Sequence, residues 1–307
     1  MYMLFQVVLL VLGFVLLVKG ADFFVDGASS IAAKFGIPQL IVGLTVVAMG
    51  TSAPEAAVSI SAAFGGNADI TIGNILGSNI LNILIILGLA SAITSIAVAK
   101  STLIIDIPIV IVSSLILLIL GLDGYISRLD AVIIFAEFIG FLAYMIISAI
   151  KSNESGENIK VMSVPLSLVA TIGGLAMIIF GSRFTVSGAT AIAEAMKIDE
   201  RIIGLTVVAL GTSLPELFTS VTAARKGNAD IAIGNIVGSN IFNILFVVGV
   251  SGLIIPVPFK LDFIFDAVAS IVAAVLLWIF CIKDKKLTRK EGIILLLGYC
   301  IYFVCIL

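Results

Sequence analysis

The sequence predicts an all-α polytopic membrane protein with ten transmembrane helices arranged as two inverted five-helix repeats. Three observations support this prediction. The 307-residue chain is 61% hydrophobic and only 12% charged. This is about half the charged fraction of a soluble domain, so the composition suits a lipid-facing surface. Apolar segments of transmembrane length recur along the chain, and its second half repeats its first half at a constant offset of 161 residues.

Ten apolar segments follow one another, separated by short polar breaks. The first lacks a basic n-region and a small-residue cleavage site, so we expect a retained helix rather than a signal peptide. The first and sixth segments can continue through the amphipathic stretches that follow them. The predicted segments are residues 3–22, 37–64, 69–95, 101–121, 128–150, 162–182, 200–224, 230–256, 261–282 and 289–306.

Polar motifs mark where the helices and the repeats begin. The capping-box pattern at Ser127–Asp130 and Thr288–Glu291 predicts the starts of the fifth and tenth helices. The solvated stretch KSNESGENIK, residues 151–160, divides a first five-helix repeat (1–150) from a second one (161–307). Because five is an odd number, the second repeat must enter the bilayer in the opposite orientation, as in many secondary transporters.

The distribution of basic residues predicts the orientation. Loops that follow odd-numbered helices hold eleven Lys and Arg residues, and the opposite loops hold four. Because cytoplasmic loops carry the excess of positive charge, we expect the central linker in the cytoplasm and both termini on the extracellular side. The expected location is the cell (plasma) membrane. The lipid bilayer is an expected partner, whereas no nucleic acid and no protein partner is predicted.

The duplication is strongest between Gly43–Leu84 and Gly204–Leu245, where 30 of 42 residues are identical without a gap. The shared positions include residues that an apolar sequence would not produce by chance, among them a proline, a glutamate and several asparagines. Each half of the chain therefore keeps one carboxylate inside an apolar segment.

Polar residues share one face of the second helix in each half, because they are spaced by three or four residues. Pro54 and Pro215 interrupt these helices and free the carbonyls of Gly50 and Gly211. A carbonyl freed inside a membrane needs a partner, and a cation is one. The shared face consists of Ala48, Thr51, Ser52, Glu55 and Ser59 in the first copy, and of Ala209, Thr212, Ser213, Glu216 and Ser220 in the second.

The third helix of each half carries a polar stripe with a spacing of four residues. Gly73 with Gly77, and Gly234 with Gly238, form G-x-x-x-G pairs that allow helix backbones to approach closely. We therefore expect the two signature helices of each half to pack together with their polar stripes facing. The stripes are Asn74, Ser78 and Asn82, and then Asn235, Ser239 and Asn243.

The inversion predicts that Glu55 and Glu216 meet near the centre of the bilayer. One carboxylate there costs about 2.5–3.5 kcal/mol on insertion scales. A cation between the two carboxylates would offset the cost of burying their charges and their mutual repulsion. All the candidate ligands are oxygens, and the chain has no His. Ca²⁺ and Na⁺ suit such a site, soft metals do not, and Mg²⁺ stays possible although it sheds water reluctantly.

Structural explanations also exist for these residues. Each glutamate could be a buried protonated acid bonded to a neighbour, and the polar stripes could be interhelical hydrogen bonds. Asp106 and Asp266 are interpreted as polar contacts to the core, and Asp22 and Asp26 as interface or packing residues.

At the motifs GTSAPE (50–55) with GNILGSNILN (73–82), and GTSLPE (211–216) with GNIVGSNIFN (234–243), the chain resembles the calcium:cation antiporter superfamily. Within it, the chain resembles sodium/calcium exchangers of the prokaryotic type without a regulatory domain, since the central linker has only about ten residues. The resemblance implies a secondary antiporter that exchanges Na⁺ for Ca²⁺ by alternating access, with Ca²⁺ and Na⁺ as substrates and no cofactor.

The resemblance also implies a ligand set. Glu55 and Glu216 would bind Ca²⁺ and compete for Na⁺, and the first and sixth helices would slide as gates. Asn243, where some relatives have Asp, resembles the potassium-independent branch, and exchange would be electrogenic. The remaining implied ligands are Thr51, Thr212, Ser52, Ser213, Ser78, Ser239, Asn82, Asn243 and the carbonyls of Ala48 and Ala209.

Other functions fit parts of the pattern. A H⁺/Ca²⁺ antiporter could use the same Glu pair as proton carriers, and a passive cation channel could use the stripes as a pore lining. An enzyme is not predicted, because the chain has no His and no nucleophile–base pair.

Overall fold

The computed structural model describes residues 2–66, 68–151, 162–196 and 209–306. All but the first residue of the predicted linker (151–160) lies outside these ranges, as does the start of the seventh predicted segment (200–224). The repeat boundaries at 150 and 161 therefore stay a prediction.

The described residues form helices joined by short turns and four two-residue strands. Within several helices one turn is π-helical, at Gly43–Val47, Asn82–Leu87, Thr102–Asp106 and Asn243–Val248. In chain order the helices are α1 (Tyr2–Phe35), α2 (Gln39–Thr51), α3 (Ala53–Phe64), α4 (Asp69–Leu81, continuing to Ile93), α5 (Thr102–Gly121), α6 (Arg128–Lys151), α7 (Val164–Ala195), α8 (Ala209–Thr212), α9 (Leu214–Arg225), α10 (Ala229–Phe242, continuing to Ile254), α11 (Asp262–Asp284) and α12 (Arg289–Ile306). The strands are β1 (Ile96–Ala97), β2 (Tyr125–Ile126), β3 (Val257–Pro258) and β4 (Lys286–Leu287).

The protein is a helical membrane protein. Seven helices in the described ranges are long and apolar enough to cross a bilayer, and the bent pair α2–α3 makes an eighth candidate span. The helix α12 covers the predicted tenth segment and begins with Arg289, Lys290 and Glu291. The number of ten spans therefore stays a prediction for the whole chain, while its helical membrane class is established.

The first and sixth segments do continue as predicted, because α1 and α7 have 34 and 32 residues. They pack against each other along a seam in which every seventh residue is glycine. A Cβ on Gly20 would lie 2.8 Å from the Gly174 carbonyl oxygen, and one on Gly181 would lie 2.8 Å from that of Gly13. The backbones thus touch directly, with the two helices antiparallel. The seam glycines are Gly13, Gly20 and Gly27 of α1, and Gly174, Gly181 and Gly188 of α7.

The strand pairs show how the two halves are related. Ile96 pairs with Leu287, and Ile126 pairs with Val257. At the repeat offset of 161, Val257 is the equivalent of Ile96 and Leu287 is the equivalent of Ile126, so the two pairs are symmetry-related. Helix α5 runs from β1 to β2. Its equivalent α11 runs from β3 to β4, and since β3 pairs with β2 and β4 pairs with β1, α11 starts where α5 ends. These equivalent helices therefore run in opposite directions, the relation that an inverted repeat requires.

Both predicted capping boxes are present. The Asp130 carboxylate accepts from the Ser127 backbone N–H at 2.8 Å, and the Ser127 hydroxyl accepts from the Asp130 N–H at 3.2 Å. The Glu291 carboxylate likewise accepts from the Thr288 N–H at 2.7 Å. Each box satisfies N–H groups that the first turn of a helix leaves unpaired, so α6 and α12 begin where the sequence places them.

Helices α4 and α10 form the centre of the protein. In the most apolar window of each, 78% and 94% of the residues are buried, against 22–39% in the other spans. Polar residues on these two helices are thus removed from both lipid and water.

Candidate cation site

Each signature helix breaks at a serine. Ser52 separates α2 from α3 with φ −81° and ψ 8°, and Ser213 separates α8 from α9 with φ −88° and ψ 4°. At Ser52 the axis bends by 51°. The Ser52 N–H bonds the Ala48 carbonyl at 3.0 Å, so the helical hydrogen bonds of α2 continue up to the break.

The break places both glutamates in the first turn of a helix. Glu55 and Glu216 are the third residues of α3 and α9, where the positive end of the helix dipole favours an anion. Each is only 1% exposed. The helix dipole therefore favours an anion at both positions, whereas burial disfavours one.

The two carboxylates differ in their partners. The Ser52 hydroxyl donates to Glu216 Oε1 at 2.7 Å, which crosses between the two halves of the chain. Neither oxygen of Glu55 accepts a hydrogen bond in the described part of the structure, although Thr212 and Ser213 lie beside it. Glu216 Oε2 also has no partner there.

Among the described residues, no basic side chain forms an ion pair with Glu55 or Glu216. The ion pairs within the described ranges are those of Lys226 with Asp22 at 3.3 Å and Asp26 at 2.7 Å. The charges of Glu55 and Glu216 repel each other. Two buried, adjacent and uncompensated carboxylates need either protons or a cation.

Two asparagines complete the centre, at the start of the π-helical turns in α4 and α10. Asn82 Nδ2 donates to Asn240 Oδ1 at 2.9 Å, and Asn243 Nδ2 donates to Asn79 Oδ1 at 3.1 Å. The amide oxygens of Asn82 and Asn243 are buried and have no hydrogen-bond partner among the described residues. Each predicted asparagine ligand thus uses its nitrogen for the fold and leaves its oxygen free.

Asn79 and Asn240 hold this arrangement, and neither belongs to the predicted ligand set. Each donates its Nδ2 to the other's backbone carbonyl at 3.2 Å. Their amide oxygens accept from the predicted ligands, so they fix which atom of each ligand is held by the fold and which is left for another partner. The available signal was their duplication, because an asparagine follows Ser78 and Ser239 in both copies.

The hydroxyl and carbonyl ligands are placed less uniformly. The Ala48 carbonyl accepts from the Ser52 N–H at 3.0 Å, the Thr51 hydroxyl at 3.2 Å and the Ser239 hydroxyl at 3.4 Å. It is therefore occupied by protein donors in this conformation. Ser78 is buried, and Ala209 begins α8 at the position equivalent to Ala48.

The signature helices of each half contact each other through their polar stripes, as predicted, but Gly234 and Gly238 pack closely against a different helix. A Cβ on Gly238 would lie 2.5 Å from the Leu44 carbonyl oxygen, and one on Gly234 would lie 3.1 Å from the Leu40 carbonyl. The close partner of α10 is thus α2 of the other half, rather than the signature helix of its own half. Within a half, the contact is made by hydrogen bonds, such as Asn74 Nδ2 to Ser59 Oγ at 2.9 Å. The sequence showed only that the glycines allow close approach, which does not specify a partner.

Three other acids have roles outside this site. Asp22 and Asp26 bind Lys226 at the surface, as interface residues would. Asp266 accepts from the Tyr302 hydroxyl at 2.9 Å.

In the described part of the chain, six buried oxygens without a hydrogen-bond partner belong to predicted ligands. All are hard donors, and together they offer most of the six to eight oxygens that Ca²⁺ takes. Among the described residues there is no group of three His, Cys, Asp or Glu, so a soft or histidine-based metal site is not indicated. The six atoms are Glu55 Oε1 and Oε2, Glu216 Oε2, Asn82 Oδ1, Asn243 Oδ1 and Ser213 Oγ.

Comparison with known proteins gives the same family as the motifs. The sodium/calcium exchanger protein family matches residues 5–147 and 166–307. The putative antiporter CaxA of Alkalimonas amylolytica is 37% identical over 97% of each chain. The sodium/calcium exchanger MaX1 of Methanosarcina acetivorans is 31% identical over 96% of this chain and 97% of its own.

A solved structure matches the fold over its full length. The sodium-calcium exchanger NCX_Mj, soaked with zero Na⁺ and Ca²⁺, superposes with a TM-score of 0.87 at 34% identity, covering 98% of this chain and 99% of its own. The family match covers far more than half of the sequence, and the fold agrees with it. The chain therefore belongs to the sodium/calcium exchanger family.

Proposed function

We propose that this protein is a secondary antiporter that exchanges Na⁺ for Ca²⁺ across the cell membrane, with Glu55 and Glu216 as the central ligands. The observation that carries the proposal is the set of unpartnered buried oxygens at the meeting point of the two halves. Family membership and the likeness to NCX_Mj support the choice of ions.

Coupling follows from the charge of the site. Two carboxylates balance one Ca²⁺ or two Na⁺, and the same oxygens cannot serve both sets of ions. Binding is therefore mutually exclusive, and occupation by one ion displaces the other. Exchange of more than two Na⁺ for each Ca²⁺ would move net charge and draw about 2.3 kcal/mol per charge from each 100 mV of membrane potential.

Alternating access requires that the site open to one side at a time. The seam between α1 and α7 joins these two helices by direct backbone contact, so they are suited to move as one gate. Asn243 leaves the centre with two carboxylates rather than three, which supports exchange that does not need K⁺.

The primary test is Ca²⁺ uptake into proteoliposomes loaded with Na⁺ and diluted into Na⁺-free medium. We expect uptake from Na⁺-loaded vesicles, none from choline-loaded vesicles, and no change on adding K⁺. A valinomycin-set potential should change the rate if exchange is electrogenic. Uptake that follows an imposed pH gradient would instead assign the protein to H⁺/Ca²⁺ exchange, and uptake without any counter-ion would indicate a channel.

The site is tested by Glu55→Gln and Glu216→Gln. Each removes one of two charges from the centre, and we expect Na⁺-driven Ca²⁺ flux to fall at least 100-fold, which corresponds to about 2.7 kcal/mol. Glu137→Gln is the matched control, because Glu137 is also an acid within a membrane helix but lies in a groove between α5 and α6. Equal losses in all three variants, or none, would contradict the assignment.

The orientation is proposed from the positive-inside distribution, with both termini outside the cell. Single-cysteine labelling of surface positions in intact cells would measure it. If the C-terminus is labelled only after the cells are permeabilised, the orientation is the opposite of the proposed one.

A further inference from the structure

A second group of buried, unpartnered oxygens lies away from the central site. Asp106 is 1% exposed, and neither of its carboxylate oxygens has a hydrogen-bond partner in the described structure. The hydroxyl of Thr102, one turn earlier and also buried, has none either. Three orphaned oxygens thus lie on one turn of α5.

This turn is π-helical, over Thr102–Asp106, and its geometry is supported from outside. Trp278 of α11 donates its indole N–H to the Leu103 carbonyl at 2.8 Å. The wider turn is thus held by a specific contact, and such turns occur frequently at functional sites.

Asp106 lines a cavity of about 200 Å³ between the first turns of α2, the end of α6 and the start of α10. Among the described residues, every polar group that lines it is an oxygen ligand and none is basic. Ser101 is exposed, so the cavity reaches the surface. The polar lining residues are Ser101, Asp106, Tyr144, Ser148 and Asp230.

The cavity is distinct from the central site. It contacts α2 at Leu40–Leu44, roughly ten residues before Ser52, which corresponds to on the order of 15 Å along a helix. Its key acid is also outside the duplication, because the residue equivalent to Asp106 in the second half is Ala267. The central site therefore uses equivalent residues of both repeats, whereas the key acid of this cavity has no equivalent in the second repeat.

We propose that this cavity is a second binding site for a hard divalent cation, with Asp106 as the principal ligand and Asp230 as a second carboxylate. Hydroxyls of Ser101, Tyr144 and Ser148 complete the oxygen set. The volume leaves room for several waters, at about 30 Å³ each, so the ion keeps part of its hydration. Because fewer protein oxygens replace water, the site binds more weakly than the central one.

The proposal does not depend on the proposed transport function, and Ca²⁺ alone is a sufficient probe. We would measure equilibrium binding of ⁴⁵Ca²⁺ to the full chain in detergent, using Glu55→Gln/Glu216→Gln to remove the central site. We expect this double variant to keep one weaker site, which Asp106→Asn then removes. The matched control is Glu137→Gln in the same background, which should keep it.

Two results would overturn the proposal. One is a double variant that binds no Ca²⁺, and the other is residual binding that Asp106→Asn leaves unchanged, as expected if Asp106 is only a protonated core acid. If the double variant does not purify as a folded protein, the wild-type isotherm serves instead. Asp106→Asn should then lower its stoichiometry by one Ca²⁺ and keep the tighter component, and an unchanged stoichiometry would again refute the site.

Discussion

Adjacent glycines on α7 provide a direct test of the seam with α1. A Cβ on Gly174 would lie 2.5 Å from the Phe24 backbone N and 2.7 Å from the Gly20 carbonyl oxygen, whereas one on Gly173 would meet no atom of the described residues within 4 Å. The variants Gly174→Ala and Gly173→Ala thus make the same chemical change in consecutive residues. Only the first pushes on another helix.

The magnitude follows from these distances. The atoms that the Gly174 Cβ would meet are backbone, so relief requires the helices to separate by about 1 Å to reach ordinary contact. Inserting a methyl into such packing costs typically about 1–3 kcal/mol, and a gap of 0.5–1 Å loses roughly a quarter to a half of each contact energy. Replacing Gly by Ala in a helix gains about 1 kcal/mol in both variants. We therefore expect Gly174→Ala to be less stable than Gly173→Ala by about 1–3 kcal/mol.

The assay is the free energy of unfolding of the purified protein in mixed micelles, measured by denaturant titration. Gly20→Ala affects the same contact from the opposite helix, so its effect and that of Gly174→Ala should not be additive. Equal stability of the Gly173 and Gly174 variants would refute the backbone contact, and additivity of the Gly20 and Gly174 effects would refute their shared origin.

The central site gives two further predictions. Ser52→Ala removes a hydrogen bond to the Glu216 carboxylate and should destabilise the protein by about 1.5–3 kcal/mol. The Ser213 Oγ has no hydrogen-bond partner in the described structure, so Ser213→Ala should change the free energy of unfolding by less than about 0.5 kcal/mol. Equal losses of unfolding free energy in the two variants would contradict this difference between Ser52 and Ser213. Asn240→Ala should weaken Ca²⁺ binding about tenfold by releasing the Asn82 amide, although Asn240 is not a proposed ligand. Asn240→Asp keeps an acceptor for that amide and should restore part of the Ca²⁺ affinity in a ⁴⁵Ca²⁺ isotherm. If Asn240→Asp binds Ca²⁺ as weakly as Asn240→Ala does, Asn240 does not position Asn82.

Much of the fold could be predicted from the sequence, for reasons that are local. Hydropathy determines which segments are long enough to span a bilayer, and a duplicated motif at constant offset identifies the repeat. Capping boxes at Ser127 and Thr288 fix helix starts because their partners are three residues away. Helical periodicity also predicted a shared face for Thr51, Ser52 and Glu55, although the structure breaks this helix at Ser52.

Contacts between the halves depended on the tertiary structure. The sequence indicated that Gly234 and Gly238 allow close approach, but only the fold showed that α2 of the other half is their neighbour. The sequence also could not show that the Ser52 hydroxyl bonds to the Glu216 carboxylate, since the two residues are 164 positions apart. Such pairings depend on which helices cross, and many packings bury the same apolar area.

The chemistry of this protein therefore divides between the two levels. The sequence alone determined the membrane class, the duplication and the residue types that suit a hard cation, because these depend on composition and short-range spacing. Only the tertiary structure decided which oxygens are left without partners, including those of Asp106, because a hydrogen bond depends on atoms brought together from distant segments. A free oxygen is a property of the packed molecule, and the same residue type is satisfied at Asn79 and unsatisfied at Asn82 for that reason.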